Sequence, residues 1–176
     1  MNHELLSLLR CPRCRGRLAI PHDHPGEAES LGCQACGHRV EVLRGIPRLA
    51  GDTYAMSFGR QWNRYDVARD EEDEATFTVK TGVSAESQAG RLVLDAGCGG
   101  GRYSRLLGAY GARVLGVDLS AAVEKAAELC RSLPSVQIAQ ADLLDLAVAD
   151  ASFDLVFSIG VLHHSPDPRR AFGQIA

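Results

Sequence analysis

No apolar run in this chain approaches the ~20 residues needed to cross a bilayer. The leucines at the amino end (Leu5, Leu6, Leu8 and Leu9) are interrupted by Arg10 and then by a cysteine motif. Neither a membrane span nor a secretory signal peptide is therefore expected. A basic stripe is also lacking. Residues 1–50 carry seven basic and five acidic side chains, and the remainder carries twelve and seventeen, for a net charge of −3. That balance gives no support to nucleic acid as a substrate. Internal repeats and low-complexity tracts are missing too, which excludes solenoid and array architectures.

What remains, 176 residues of which 45% are hydrophobic, is enough for one modest core and a small metal-held domain. Six cysteines are present, and four pair as Cys11-Pro-Arg-Cys14 and Cys33-Gln-Ala-Cys36 with 18 residues between the pairs. Two C-x2-C knuckles at that gap read as a four-thiolate zinc site, each pair lending two sulfurs from one tight turn. Four cysteines close the tetrahedron without a place for water, so the metal is expected to be structural. A redox dithiol would need only one pair, beside a thioredoxin-like pattern. Disulfides would suit a secreted protein, whereas zinc spacing fits a reducing cytoplasm, the expected compartment. His22, His24 and His38 are spare ligands that four thiols make unnecessary. A segment of about 50 residues has too small a core to hold well alone, so zinc is expected to supply much of its stability.

The second signal lies in Val93-Leu-Asp95-Ala-Gly97-Cys98-Gly99-Gly-Gly101, an apolar strand that runs into a glycine-rich turn and opens a helix. Such a turn brings backbone N–H groups and a positive helix end close to a ligand, as nucleotide-like groups require. Seventeen residues past Gly101, Asp118 ends a second apolar strand, where a carboxylate can accept from both ribose hydroxyls. Dinucleotide enzymes share this pairing, but their third fingerprint glycine would fall at Arg102.

The glycine spacing resembles instead the first motif of the class I S-adenosylmethionine-dependent methyltransferases. Gly116-Val-Asp118-Leu119-Ser120 is similar to their ribose motif, and Ala139-Gln-Ala-Asp142-Leu143 to the segment beside the adenine. Phe153-Asp-Leu-Val-Phe-Ser158-Ile159-Gly-Val-Leu-His163-His164 is similar to their fourth strand and following loop. The likeness is to the ubiquinone/menaquinone-type branch. It implies that Asp95 and the Gly97, Cys98, Gly99 and Gly101 turn hold the methionine end of the cofactor. Asp118 with Leu119 would bind the ribose, Asp142 and Leu143 the adenine, while Ser158 and Ile159 border the transferred methyl. His163 and His164 are candidates for a general base. The first 49 residues resemble the short zinc-ribbon protein that activates methyltransferases, through Leu8-Leu9-Arg-Cys11-Pro, Leu31-Gly-Cys33, Cys36-Gly37 and Gly45-Ile-Pro47-Arg-Leu49.

Three segments follow: a zinc ribbon over 1–50, a helical cap or linker over 51–82, and the cofactor-binding domain over 83–176. In the linker, Tyr54, Phe58, Trp62 and Tyr65 recur at helical spacing, and Asp70 to Glu74 reads as a solvated acidic loop. Strands at 91–95, 113–118, 136–141 and 153–159 alternate with helices at 102–110 and 121–133. The pattern predicts an α/β, Rossmann-like parallel sheet of order 3-2-1-4. Ser120 is the expected N-cap of the second helix and Pro134 its stop. Relatives normally carry three further strands, so a truncated domain with an exposed fourth strand is expected, able to pair with a protein partner there or at the ribbon. The leading function is methyl transfer from S-adenosylmethionine to a small-molecule acceptor. A non-catalytic cofactor-binding or scaffolding module is the alternative.

Overall fold

Alternation of polar and apolar side chains shapes the amino-terminal sheet. In Arg39–Leu43, Val40 and Val42 point inward while Arg39, Glu41 and Leu43 stay exposed. The computed structural model describes residues 2–20, 30–50 and 70–176. A short helix α1 (His3–Leu6), capped by the Asn2 side chain, leads into β1 (Leu18–Ala19), β2 (Ser30–Cys33), β3 (Arg39–Leu43) and β4 (Ile46–Pro47). These strands pair antiparallel in chain order.

The second sheet is parallel throughout: β5 (Leu92–Ala96), β6 (Arg113–Asp118), β7 (Val136–Gln140) and β8 (Leu155–Phe157) lie in the order β7-β6-β5-β8. Counted within the sheet this is 3-2-1-4, as the sequence predicts. Its strands are nearly continuous apolar runs because both faces are covered. Helix α2 (Asp70–Thr81) precedes the sheet, α3 (Arg102–Ala109) joins β5 to β6, α4 (Ala122–Leu129) joins β6 to β7, and α5 (Pro168–Ile175) follows β8.

Successive residues of a strand face opposite ways, and the two faces have different covers. Val93, Val114 and Phe157 pack with Phe77 of α2 and with Tyr103 and Leu107 of α3. Leu94, Ala96, Leu115, Val117 and Ala139 share a core with Leu6, Leu9, Leu18, Val42 and Leu49 of the ribbon, and with Ala171 of α5. The ribbon thus serves as a layer of the α/β sandwich. It is also stitched along the β7 side: Arg48 bridges Gln140 in parallel fashion, Leu49 N–H donates to Gln140 O (2.8 Å), and Leu9 bridges Val148.

Three expectations need correction. The acidic run from Asp70 begins α2 instead of forming a solvated loop. Carboxylates suit the first turn of a helix; Asp73 is buried and pairs with Arg102 (3.4 Å), and Phe77 anchors the helix in the core. The second long helix ends at Leu129, because a turn closed by Leu133 N–H to Cys130 O redirects the chain into β7. Strand β8 spans only Leu155–Phe157, since among the described residues β5 alone pairs with it. The aromatic residues at 54–65, together with His22 and His24, lie outside the described residues. No described helix is long and apolar enough to cross a membrane.

Candidate functional site

After β5 the chain turns hard against β6: Gly97 and Cys98 both donate their N–H to Val117 O (2.8 and 2.9 Å). Gly97 has φ +89°, and a Cβ there would lie 2.4 Å from Val161 Cγ1. Only glycine meets both demands. Asp118, at the end of β6, holds the turn in place. Its Oδ2 accepts from Gly99 N–H (2.9 Å), and its Oδ1 accepts from the N–H and Oγ–H of Ser120 (2.8 and 2.7 Å). Ser120 Oγ in turn accepts from Ala122 N–H (3.3 Å), but the N-cap of α4 is Ala121 and not the expected Ser120, whose side chain is turned to the carboxylate.

These elements border a cleft of about 510 Å³ at the carboxyl ends of the strands, where the strand order reverses. Of the cofactor residues inferred from sequence, Gly97, Cys98, Gly99, Asp118, Leu119, Asp142, Leu143 and Ile159 line it. Asp142 also shapes the wall it belongs to, because its Oδ1 accepts from Leu144 N–H (2.8 Å) and caps the short 3-10 helix Leu143–Asp145. Of the two histidines, His164 lines the cleft; His163 stacks against it outside, with ring centroids 3.9 Å apart.

Three inferred cofactor residues are placed elsewhere. Asp95 is buried beneath the turn, its Oδ2 accepting from Ser104 Oγ–H (2.7 Å). Gly101 sits against α4, where a Cβ would be 2.8 Å from Ala126 Cα, and so sets helix packing. Ser158 is turned inward, and its Oγ finds no partner among the described residues. Burial pushes the Asp95 carboxyl up to about 7; the Ser104 hydrogen bond opposes this and the Asp118 carboxylate adds to it.

The cleft also has walls that sequence reasoning missed. Arg102 and Tyr103 come from the first turn of α3, and Gly160, Val161, Leu162, Ser165 and Pro166 from the loop after β8. The first pair was findable, since first-turn residues after a glycine turn necessarily flank the ligand. Gly160, Val161 and Leu162 fall in the stretch that resembles the fourth strand and following loop, but that likeness assigns them no contact of their own. Arg102 is oriented by Asp73 and by donation from Nη2 to Tyr103 Oη (2.6 Å).

In the amino-terminal sheet, the Sγ atoms of Cys11, Cys14, Cys33 and Cys36 lie within 4.8 Å of one another. Sulfurs bound at ~2.3 Å to a tetrahedral zinc would be about 3.8 Å apart. The cross-knuckle separations, 3.7 Å for Cys11–Cys36 and 3.5 Å for Cys14–Cys33, match that spacing. Gly16 is part of the fit: a Cβ there would stand 3.1 and 3.2 Å from the sulfurs of Cys33 and Cys14.

Comparison with known proteins bears on the cleft. Residues 94–176, which contain every cleft residue named above, match the family model of the methyltransferase domain. That match takes in 83 of the 176 residues, just under half of the chain. The chain is 38% identical over 105 residues to O-methyltransferase cnsE of Penicillium expansum, covering 57% of this chain and 38% of the relative. To the ubiquinone biosynthesis O-methyltransferase of Pseudomonas putida strain F1 it is 38% identical over 85 residues, 47% of this chain and 37% of the other. Among solved structures, Haemonchus contortus phosphoethanolamine N-methyltransferase 2, in complex with phosphomonomethylethanolamine and S-adenosylhomocysteine, matches with a TM-score of 0.51. That match has 27% identity and covers 60% of this chain and 25% of that one. The parallel sheet thus has the Rossmann-like fold that the motifs imply, while the chain spans well under half the length of these curated relatives.

Proposed function

We propose that the cleft binds S-adenosylmethionine and that the protein transfers its methyl group to an oxygen atom of a small-molecule acceptor. The observation that carries this reading is Asp118: a carboxylate locked in place by Gly99 and Ser120, lining a cleft whose floor is the glycine turn. Three donors occupy three of the about four acceptor sites of the carboxylate, and the Ser120 hydroxyl, which can rotate away, frees a second site for a ribose diol. The segment Asp142–Leu144 takes the adenine edge, and Gly97 to Gly99 lie along the amino-acid end. The O-methyltransferase names of the relatives support oxygen as the acceptor atom.

When bound, S-adenosylmethionine supplies a methyl already made electrophilic by its sulfonium. The protein's part is alignment and the exclusion of competing water. Ile159 and Val161 give the acceptor side of the cleft an apolar wall. His164 takes the proton from the attacking hydroxyl, a role only a side chain in the cleft can fill. Cys11, Cys14, Cys33 and Cys36 would hold a structural zinc, which would supply folding stability to the amino-terminal sheet.

The test is calorimetric binding of S-adenosylhomocysteine to the zinc-loaded chain, with Asp118→Ala alongside. Loss of the two ribose hydrogen bonds should weaken binding by about 1–3 kcal/mol. Equal affinity in the variant would remove the nucleoside site from Asp118.

A further inference from the structure

The metal centre and the cleft belong to different sheets, yet one residue spans the gap between them. Arg15 follows the first cysteine pair and occupies the left-handed region, φ +62°. A non-glycine residue takes that conformation only when its surroundings impose it. Here the knuckle does so: Arg15 N–H donates to Cys11 O (2.8 Å), and Cys11 N–H donates to Gly16 O (2.9 Å). The side chain then leaves the ribbon. Its Nη1 donates to Leu146 O (2.6 Å), and its Nη2 pairs with the Asp145 carboxylate.

Those two acceptors end the short helix Leu143–Asp145, whose residues Leu143 and Leu144, with the cap Asp142, form one wall of the cleft. The same segment is held again from the ribbon side, by Arg10 N–H to Ala147 O (2.8 Å) and Ala149 N–H to Leu8 O (2.7 Å). The ribbon therefore supports, residue by residue, the chain that lies just behind the cleft wall.

We propose that Arg15 is a positioning residue for the cofactor site, transmitting the closed, metal-bound form of the first knuckle to the Asp142–Leu144 wall. With all four thiolates on the metal, the knuckle holds Arg15 in its left-handed conformation and its guanidinium across Asp145 and Leu146. Release of the metal frees the knuckle, Arg15 relaxes toward ordinary backbone angles, and the wall loses its outer support. The site would then bind its nucleoside in proportion to metal occupancy. This inference rests on the reading of the cleft as an S-adenosyl site.

The experiment measures S-adenosylhomocysteine affinity by calorimetry for wild type, Arg15→Ala and Arg15→Lys, each with zinc content determined, and for wild type after chelation. Amide exchange at residues 142–146 is followed in parallel. Because the ion pair is half exposed, Arg15→Ala at full zinc content should weaken binding by only about fivefold. Exchange at 142–146 should quicken, with Arg15→Lys partly restoring both, and chelation should weaken binding at least as much. Unchanged affinity and exchange in zinc-replete Arg15→Ala would overturn the coupling while leaving the cleft assignment intact. A wild-type chain that takes no S-adenosylhomocysteine would overturn both.

Discussion

The two covers of the parallel sheet are built on opposite principles. On one face, α2 and α3 lay down a helical layer in which Phe77 and Tyr103 each meet Phe157 of β8 edge to face, with centroid separations of 5.2 and 6.3 Å. This layer is stabilised by large apolar side chains and regular backbone hydrogen bonding. On the other face, the ribbon has two-residue strands at β1 and β4 and one four-residue helix. Its apolar residues are buried chiefly because Leu94, Leu115 and Val117 face them. The helical cover brings its own structure to the sheet. The amino-terminal sheet leans on the parallel sheet for its core, and its four converging sulfurs offer a metal a second support.

That difference can be broken first at the metal. Cys33→Ser should release zinc and lower the midpoint of thermal unfolding by about 6–12 °C, for a loss of ~3 kcal/mol or more. If ribbon and sheet share one core, the variant should still melt in a single transition, with exchange rising at Gln140 and Ala141 on the β7 edge as well as in the ribbon. Two separated transitions would make the ribbon an independent unit. Calorimetry with metal analysis distinguishes the cases.

Next in size is a test confined to the sheet. Asp95 has a folded value of about 7 against an ordinary 3.8, so the folded state holds a proton that the unfolded chain has released. Its stabilisation is complete below pH 3.8 and is lost as pH rises through about 7, a swing of at most ~4 kcal/mol. Asp95→Asn should remove that slope. Its stability relative to wild type should climb between pH 4 and 7.5 and level off above, as read by urea unfolding. A difference independent of pH would mean that Asp95 is ionised in the fold.

The smallest effect is expected at the polar rim between the two regions. Glu4 of α1 pairs with Arg113 of β6 at an exposed site, side chains 58% and 39% accessible. Glu4→Gln should cost less than ~1 kcal/mol and become silent at high salt. A larger loss would show that the ribbon is held by charge as much as by its apolar contacts.

How much of this was legible before the fold was known depends on the range of each interaction. The knuckles, the glycine turn and Asp118 are local patterns, because short-range geometry demands those residue types at those spacings. Eight of the eleven inferred cofactor residues line the cleft for that reason. Asp95, Gly101 and Ser158 lie at the right places along the chain, but their side chains or backbone are turned to packing. The acidic run from Asp70 misled because its partner, Arg102, is distant in sequence. Val161 escaped notice because its role exists only where it meets Gly97.

By itself, the sequence determined the alternation of strands and helices, the turn that opens the cleft and the four sulfurs that converge. Each follows from periodicity or spacing over a few residues. Only the tertiary structure decided that the amino-terminal sheet forms a layer against the parallel sheet, that His164 and not His163 enters the cleft, and that Arg15 reaches the chain behind the cleft wall. Those outcomes depend on which surfaces meet when two sheets bury their apolar faces together, and contacts spanning more than a hundred residues leave no local trace.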